Sequence, residues 1–224
     1  LPGWLSTDEG QRWQQLLEHN ISWEQPLVQV FGKYHRVPRK TVFLAEQGLQ
    51  YRYSGTLFVM NYEMPVSLRA TLLSSAGSNG TSDGVPTELS AELIFANGTS
   101  ATFYNSFLTE NQQWLHVSGS KGHLKVDDFV LPHPGGKLSF KIANPNFVQQ
   151  NCEFYMERNE REYSVEEEAN NHPTAQETKL FHKFAELALS GTPDPFWPDI
   201  SIKTQKVLDA CLISARNNGK QVEF

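Results

Sequence analysis

The stretch from Leu89 to Phe107 constrains the fold more than any other part of the chain. Leu89, Ala91, Leu93 and Phe95 alternate with Ser90 and Glu92 on the way into Asn97-Gly98, and Ala101, Phe103, Asn105 and Phe107 resume the alternation beyond it. A period of two sends alternate side chains to opposite faces of an extended chain, which a helix cannot do. Asn-Gly between two such runs predicts a type I′ turn, since both central residues must take positive φ. The chain therefore holds an antiparallel hairpin with one apolar face that needs a cover.

The rest of the chain is organised around that hairpin. Ser74 to Val85 is Gly-, Ser- and Asn-rich with almost nothing apolar, and reads as a loop or hairpin tip. Further strands are predicted at Trp114–Ser118, His123–Val126, Phe129–Leu131 and Lys137–Ile142, with another strand or pair within Phe147–Val165. Thr174 and Glu177 form a capping box for a helix carrying Leu180, Phe181, Phe184, Leu187 and Ala188. The three prolines between Thr192 and Pro198 predict a non-helical linker. A last helix is expected from about Ser201 to Arg216, burying Val207, Leu208, Cys211, Leu212 and Ala215, with Gly219 as its C-terminal cap. At the other end, Ser6 and Glu9 form a capping box before Trp13, Leu16 and Leu17. Strands first and helices last is the α+β order: an open, mostly antiparallel sheet with helices on one face, plus a short N-terminal helix and β-segment.

Composition narrows the function classes. With 19 Lys and Arg against 25 Asp and Glu, the chain lacks an overall basic nucleic-acid footprint. No run approaches the ~20 apolar residues a bilayer requires, and the first residues lack a basic region followed by an apolar one, so no membrane partner and no secretory leader are read. Asn20, Asn79 and Asn97 head glycosylation sequons, read as chance matches without such a leader. Cys152 and Cys211 offer no metal or redox spacing and are expected reduced and structural, in a cytoplasmic protein. None of the seven histidines begins an H-x-D/E or an H-E-x-x-H, so no metal site is assigned. The first quarter is locally basic. Lys33, Arg36, Arg39, Lys40 and Arg52 are interleaved with Phe31, Tyr34, Phe43, Tyr51 and Tyr53. That mixture suits a groove for a nucleic-acid backbone and stacked bases, and equally a twisted β-segment with solvated cations.

Two resemblances extend this reading. Phe95-Ala96-Asn97-Gly98, Ala101-Thr102-Phe103-Tyr104, Ser118 to Leu124 (SGSKGHL), Asp127 to Pro132 (DDFVLP), Asp194 to Pro198 (DPFWP) and Val207 to Leu212 (VLDACL) resemble the C-terminal domain of Gfo/Idh/MocA-type oxidoreductases. The likeness begins near Pro65 and covers about 160 of the 224 residues, giving a C-terminal α+β domain at 61–224. It implies a sheet that shapes the substrate side of an active site and mediates oligomer contacts, here through an open face expected to be rich in Phe and Leu. Trp23 to Pro26 (WEQP), Phe31-Gly32, Val37-Pro38-Arg39 and Tyr51 to Gly55 (YRYSG) are similar to the N-terminal part of AlkB-type iron/2-oxoglutarate dioxygenases, which helps form a lid over a flipped base. This segment, 1–60, would be an incomplete N-terminal piece.

Neither family's chemistry can be placed on these residues. Hydride transfer needs a nicotinamide on a Rossmann unit, and no G-x-G-x-x-G occurs; Gly119 to Gly122 lies between strands. No cofactor is therefore expected in this chain, the family using NAD or NADP through a domain that these motifs do not include. Dioxygenase chemistry needs the missing H-x-D. The sequence predicts a catalytically incomplete oxidoreductase module, a homo-oligomer through the open sheet face, with a Rossmann-bearing chain as a further partner. One alternative is activity only once that chain is bound. Another is weak nucleic-acid binding through Arg39, Tyr51 and Tyr53. His116 and His123 are read as structural. Asn105, Trp114 and Lys121 are candidates for a hydroxyl-reading surface, or ordinary strand and turn residues.

Overall fold

A computed structural model describes residues 55–76, 84–110, 112–130, 138–165 and 172–224, together with the backbone of 27–33. Eleven strands and two long helices are assigned among these residues, besides a short helical stretch at 55–59. The strands are β1 (Leu27–Lys33), β2 (Ser67–Ala76), β3 (Val85–Ile94), β4 (Ser100–Ser106), β5 (Gln113–Gly119), β6 (Gly122–Val126), β7 (Leu138–Ala143), β8 (Asn146–Gln150), β9 (Glu153–Glu157), β10 (Glu160–Val165) and β11 (Val222–Glu223). The helices are α1 (Gln176–Ser190) and α2 (Phe196–Arg216). Nine strands form one sheet in the order β10-β7-β6-β5-β1-β4-β3-β2-β11, while β8 and β9 make a separate hairpin. The fold is α+β and mainly antiparallel, as the sequence predicts. The one parallel pairing among the described strands is β1 with β4; on its other side β1 runs antiparallel to β5. A strand from before residue 60 is thus hydrogen-bonded into the middle of the sheet.

The alternation in β3 and β4 does what a period of two requires. Leu89, Ala91, Leu93, Ala101 and Phe103 are buried on one face, joined there by Leu68 and Ala70 of β2, Leu115 and Val117 of β5, Leu124 and Val126 of β6, and Leu138, Phe140 and Ile142 of β7. Each Leu, Val or Phe removed from water in this way contributes roughly 1.5–3 kcal/mol. The cover comes from α2, through Val207, Leu208, Cys211 and Ala215, and from a helical turn at 55–59 that brings Leu57, Phe58 and Val59 into the same core.

Local chemistry departs from expectation in five places. Among the loop residues between β3 and β4 only Gly98 has positive φ, at 81°, so the connection is a three-residue loop rather than a type I′ turn. The Gly98 N–H donates to Phe95 O (3.0 Å), that of Thr99 to Asn97 Oδ1 (3.0 Å) and that of Phe95 to Thr99 O (2.9 Å). This is a tight turn closed by a left-handed glycine, the second common way to reverse a twisted ribbon. Phe129–Leu131 forms no strand over its described residues. Phe129 and Val130 are bends, and Phe129 is 2% exposed, packed beneath Gly55. α1 starts after Ala175 with no side-chain cap, because Thr174 Oγ1 is engaged with His172 Nδ1 at 2.8 Å. α2 starts at Phe196 and includes Pro198, since a first-turn residue needs no backbone N–H partner. Finally, Cys211 is buried in the core whereas Cys152 is exposed at the β8–β9 turn, so the two do not share a structural role.

Candidate functional site

The opposite face of the sheet carries the polar half of the alternation in β3 to β7. Strand pairing aligns one residue per strand into a row: Arg69 with Glu92, Glu92 with Thr102, Thr102 with Gln29, Gln29 with His116, His116 with Lys125, Lys125 with Lys141, and Lys141 with Glu162. A second row carries Ser90, Tyr104 and Trp114, with the Tyr104 hydroxyl donating to Glu88. Among the residues whose side chains are described, the Phe and Leu of β3 to β7 lie on the α2-covered face. On these strands the open face is therefore built of charged, hydroxyl, imidazole and indole groups.

His116 and His123 come together on this open face. Their rings lie 5.2 Å apart, edge to face, and His116 Nε2 is buried without a hydrogen-bond partner among the described residues. Burial first, then the positive charge of His123 and Lys125, holds the His116 pKa below its ordinary value. Lys125 pairs with Asp127 at 2.7 Å and Lys141 with Glu160 at 3.4 Å, so the cations next to the imidazoles are tethered along their own edge.

The hydroxyl-reading candidates do not converge. Asn105 belongs to the α2-covered face, opposite Leu89, and neither atom of its buried amide has a partner among the described residues. Trp114 lies on the open face, its indole N–H donating to Gln112 Oε1 (3.2 Å), and Lys121 is exposed at the β5–β6 turn. Arg39, Tyr51 and Tyr53 lie outside the described residues.

Two features here carry little sequence signal. Asn61 and Tyr62 both have positive φ (51° and 59°), a strained conformation for a bulky Tyr. Tyr62 packs edge-on against Phe58 and Phe196, and burial pushes its pKa up to about 12. The second is an uncovered apolar surface. On α1, Leu180, Phe181, Phe184 and Leu189 are exposed, Phe184 by 70% and Leu189 by 88%; on the β8–β9 hairpin, Phe147, Phe154 and Met156 are exposed too. Helical spacing correctly identified α1, but its apolar stripe does not enter this core. Gln176 ties its start to Val130 O at 2.6 Å.

The described residues hold no group of three metal-binding side chains, and Gly119 pairs directly with Gly122 across the β5–β6 turn. That turn leads into a strand, so it does not fit the pyrophosphate of a dinucleotide, which needs a glycine turn opening a helix.

Solved structures of other proteins share this fold. The aldose-aldose oxidoreductase from Caulobacter crescentus superposes with a TM-score of 0.68 at 15% identity, over 99% of this chain and 62% of that one. KijD10, a 3-ketoreductase from Actinomadura kijaniata solved with NADP, gives 0.62 at 16% identity, over 97% of this chain and 59% of its own. The UDP-N-acetylglucosamine 3-dehydrogenase GnnA from Acidithiobacillus ferrooxidans gives 0.61 at 14% identity, over 96% and 61%. The fold is that of Gfo/Idh/MocA-type oxidoreductases. This chain spans about three-fifths of the length of the solved oxidoreductases it matches. No family model matches the sequence. None of these three structures is an AlkB-type dioxygenase. No described helix is long and apolar enough to cross a membrane.

Proposed function

We propose that this chain is the substrate-side and oligomerisation module of an NAD(P)-dependent oxidoreductase acting on a sugar-derived hydroxyl or ketone. The observation carrying the reading is the asymmetry of the structural match: nearly all of this chain, but only 59–62% of the oxidoreductases. The nucleotide would be held by a unit beyond these 224 residues, on the same polypeptide or on a separate chain. The uncovered apolar surface of α1 and the β8–β9 hairpin is consistent with such a further unit, because exposed clusters of this kind mark contact sites. No catalytic residue is assigned to this chain. Its open sheet face is read as the contact between copies.

Titration of NADPH into the isolated chain, followed by nicotinamide fluorescence, tests the reading. No saturable binding is expected. Tight binding by these 224 residues alone would overturn it. The AlkB-like reading of the first quarter stands on its motifs and ranks below. Its signature would be a salt-sensitive shift of single-stranded DNA that is lost in Arg39→Ala and Tyr51→Ala.

A further inference from the structure

We infer that the end of the sheet where β4 finishes and β5 begins holds a binding site for an uncharged, hydroxyl-bearing ligand, read by Thr56, Asn105 and Thr109. The inference rests on the sugar-directed reading above and names the residues and the ligand chemistry that would serve it.

Hydrogen-bonding groups left over in the fold carry the argument. Thr56 is fully buried, and its Oγ1 has no partner among the described residues. The same holds for both buried amide atoms of Asn105 and for Thr109 Oγ1. A buried donor or acceptor without a partner costs about 1–3 kcal/mol. An amide carries two donors and an acceptor, so Asn105 forgoes the most.

Register gathers these groups at one end. Pairing sets Leu72, Leu89, Asn105, Gly32 and Gln113 side by side across β2, β3, β4, β1 and β5, on the face that α2 covers. The row turns from apolar to polar at Asn105, and Gly32 brings no side chain to it. Gln113 O accepts from the Phe129 N–H at 2.8 Å, and Phe129 packs beneath Gly55, the residue next to Thr56. Thr109 lies just beyond the same end of β4, after a turn in which the Leu108 N–H donates to Ser106 Oγ at 2.9 Å. One row deeper the same face is apolar, with Ala91, Phe103 and Leu115 buried. A few polar groups beside an apolar floor is the usual make-up of a small-molecule site.

The chemistry of the set selects the ligand. Hydroxyls and an amide offer donors and acceptors together, which matches alcohol groups that also do both. None of the three residues is a cation. The row ends at Asp128, bridged to Gln113, and a carboxylate there opposes an anion. A phosphate or carboxylate ligand would call for Arg or Lys instead.

Saturation-transfer NMR with D-glucose on the whole 224-residue chain, with inorganic phosphate as competitor, tests the site. Transfer to D-glucose is expected, and phosphate should not displace it. Asn105→Leu keeps the branching of the side chain and removes its hydrogen bonds. It should raise the dissociation constant roughly tenfold or more, while the urea midpoint stays unchanged or rises, because an apolar group then replaces an unsatisfied amide beside Leu89. Thr56→Val, nearly equal in volume, should weaken binding without loss of stability. Variants that lose stability but bind D-glucose as wild type does would make these side chains structural and overturn the inference. Displacement by phosphate overturns the choice of an uncharged ligand. Absence of transfer to the wild-type chain overturns the site itself, and the NADPH titration then still decides the module reading on its own.

Discussion

The hydroxyl of Ser214, on α2, takes the place of a strand partner for Ala70 on β2: the Ala70 N–H donates to Ser214 Oγ at 2.9 Å, and Ser214 Oγ in turn donates to Lys220 O at 2.7 Å. Ser214 is fully buried, so the bond is shielded from water. Ser214→Ala would leave the buried Ala70 N–H with no acceptor there, at a cost of about 1–3 kcal/mol. Urea unfolding should show a lowered midpoint with unchanged slope. A variant as stable as wild type would mean that water reaches this end of β2.

Gly55 is required by space. A Cβ at this position would sit 2.5 Å from Phe129 Cζ, and Phe129 is held in the core at 2% exposure. Gly55→Ala is expected to destabilise by roughly 1–3 kcal/mol through overpacking. Pairing it with Phe129→Leu should recover part of that loss, as a double-mutant cycle would reveal.

The pH dependence of stability has a defined sign at His116. Its folded pKa is lowered by burial first and then by His123 and Lys125, so the unfolded chain takes the proton more readily. The contribution is present in full above the unfolded value near 6.5. It is lost as pH falls below that value and through the folded one. Thermal melts of His116→Gln should decline less than wild type between about pH 7 and about pH 5. Equal declines would assign the dependence to other groups.

Tyr62 shifts in the opposite sense. Burial raises its pKa from 10.0 to about 12, so it keeps its proton after ordinary tyrosines have ionised. The neutral form stabilises the fold fully below the unfolded value, and that contribution is lost as pH rises through the folded one. The late step in an ultraviolet phenolate titration should vanish in Tyr62→Phe. Its survival there would place the late-titrating phenol elsewhere.

The surface of α1 offers a contrast. Phe184 is 70% exposed and Phe181 68%. Phe181→Glu with Phe184→Glu should therefore change stability by no more than about 0.5 kcal/mol while sharply reducing binding of an anilinonaphthalene dye. A large loss of stability would show that these rings are covered in solution by another part of the chain.

The sequence by itself determined the elements and the class. Alternation at Leu89–Phe95 and Ala101–Phe107, and helical spacing around Val207 and Cys211, translate directly into faces because side-chain direction follows backbone period. The motifs from Phe95 onward also pointed to the family whose solved members share this fold. What only the tertiary structure decided is partnership across the chain. Period alone does not say which apolar stripe finds a cover, so the stripes of α1 and α2 read alike although one is exposed and the other buried. Nor does it say which strands become neighbours. The insertion of β1 between β4 and β5, which aligns Glu92, Thr102, His116 and Lys125 into one row, is fixed by pairing between segments far apart in sequence. His116 and His123 look in the sequence like isolated strand residues. Antiparallel register makes them a pair on the open face of the sheet.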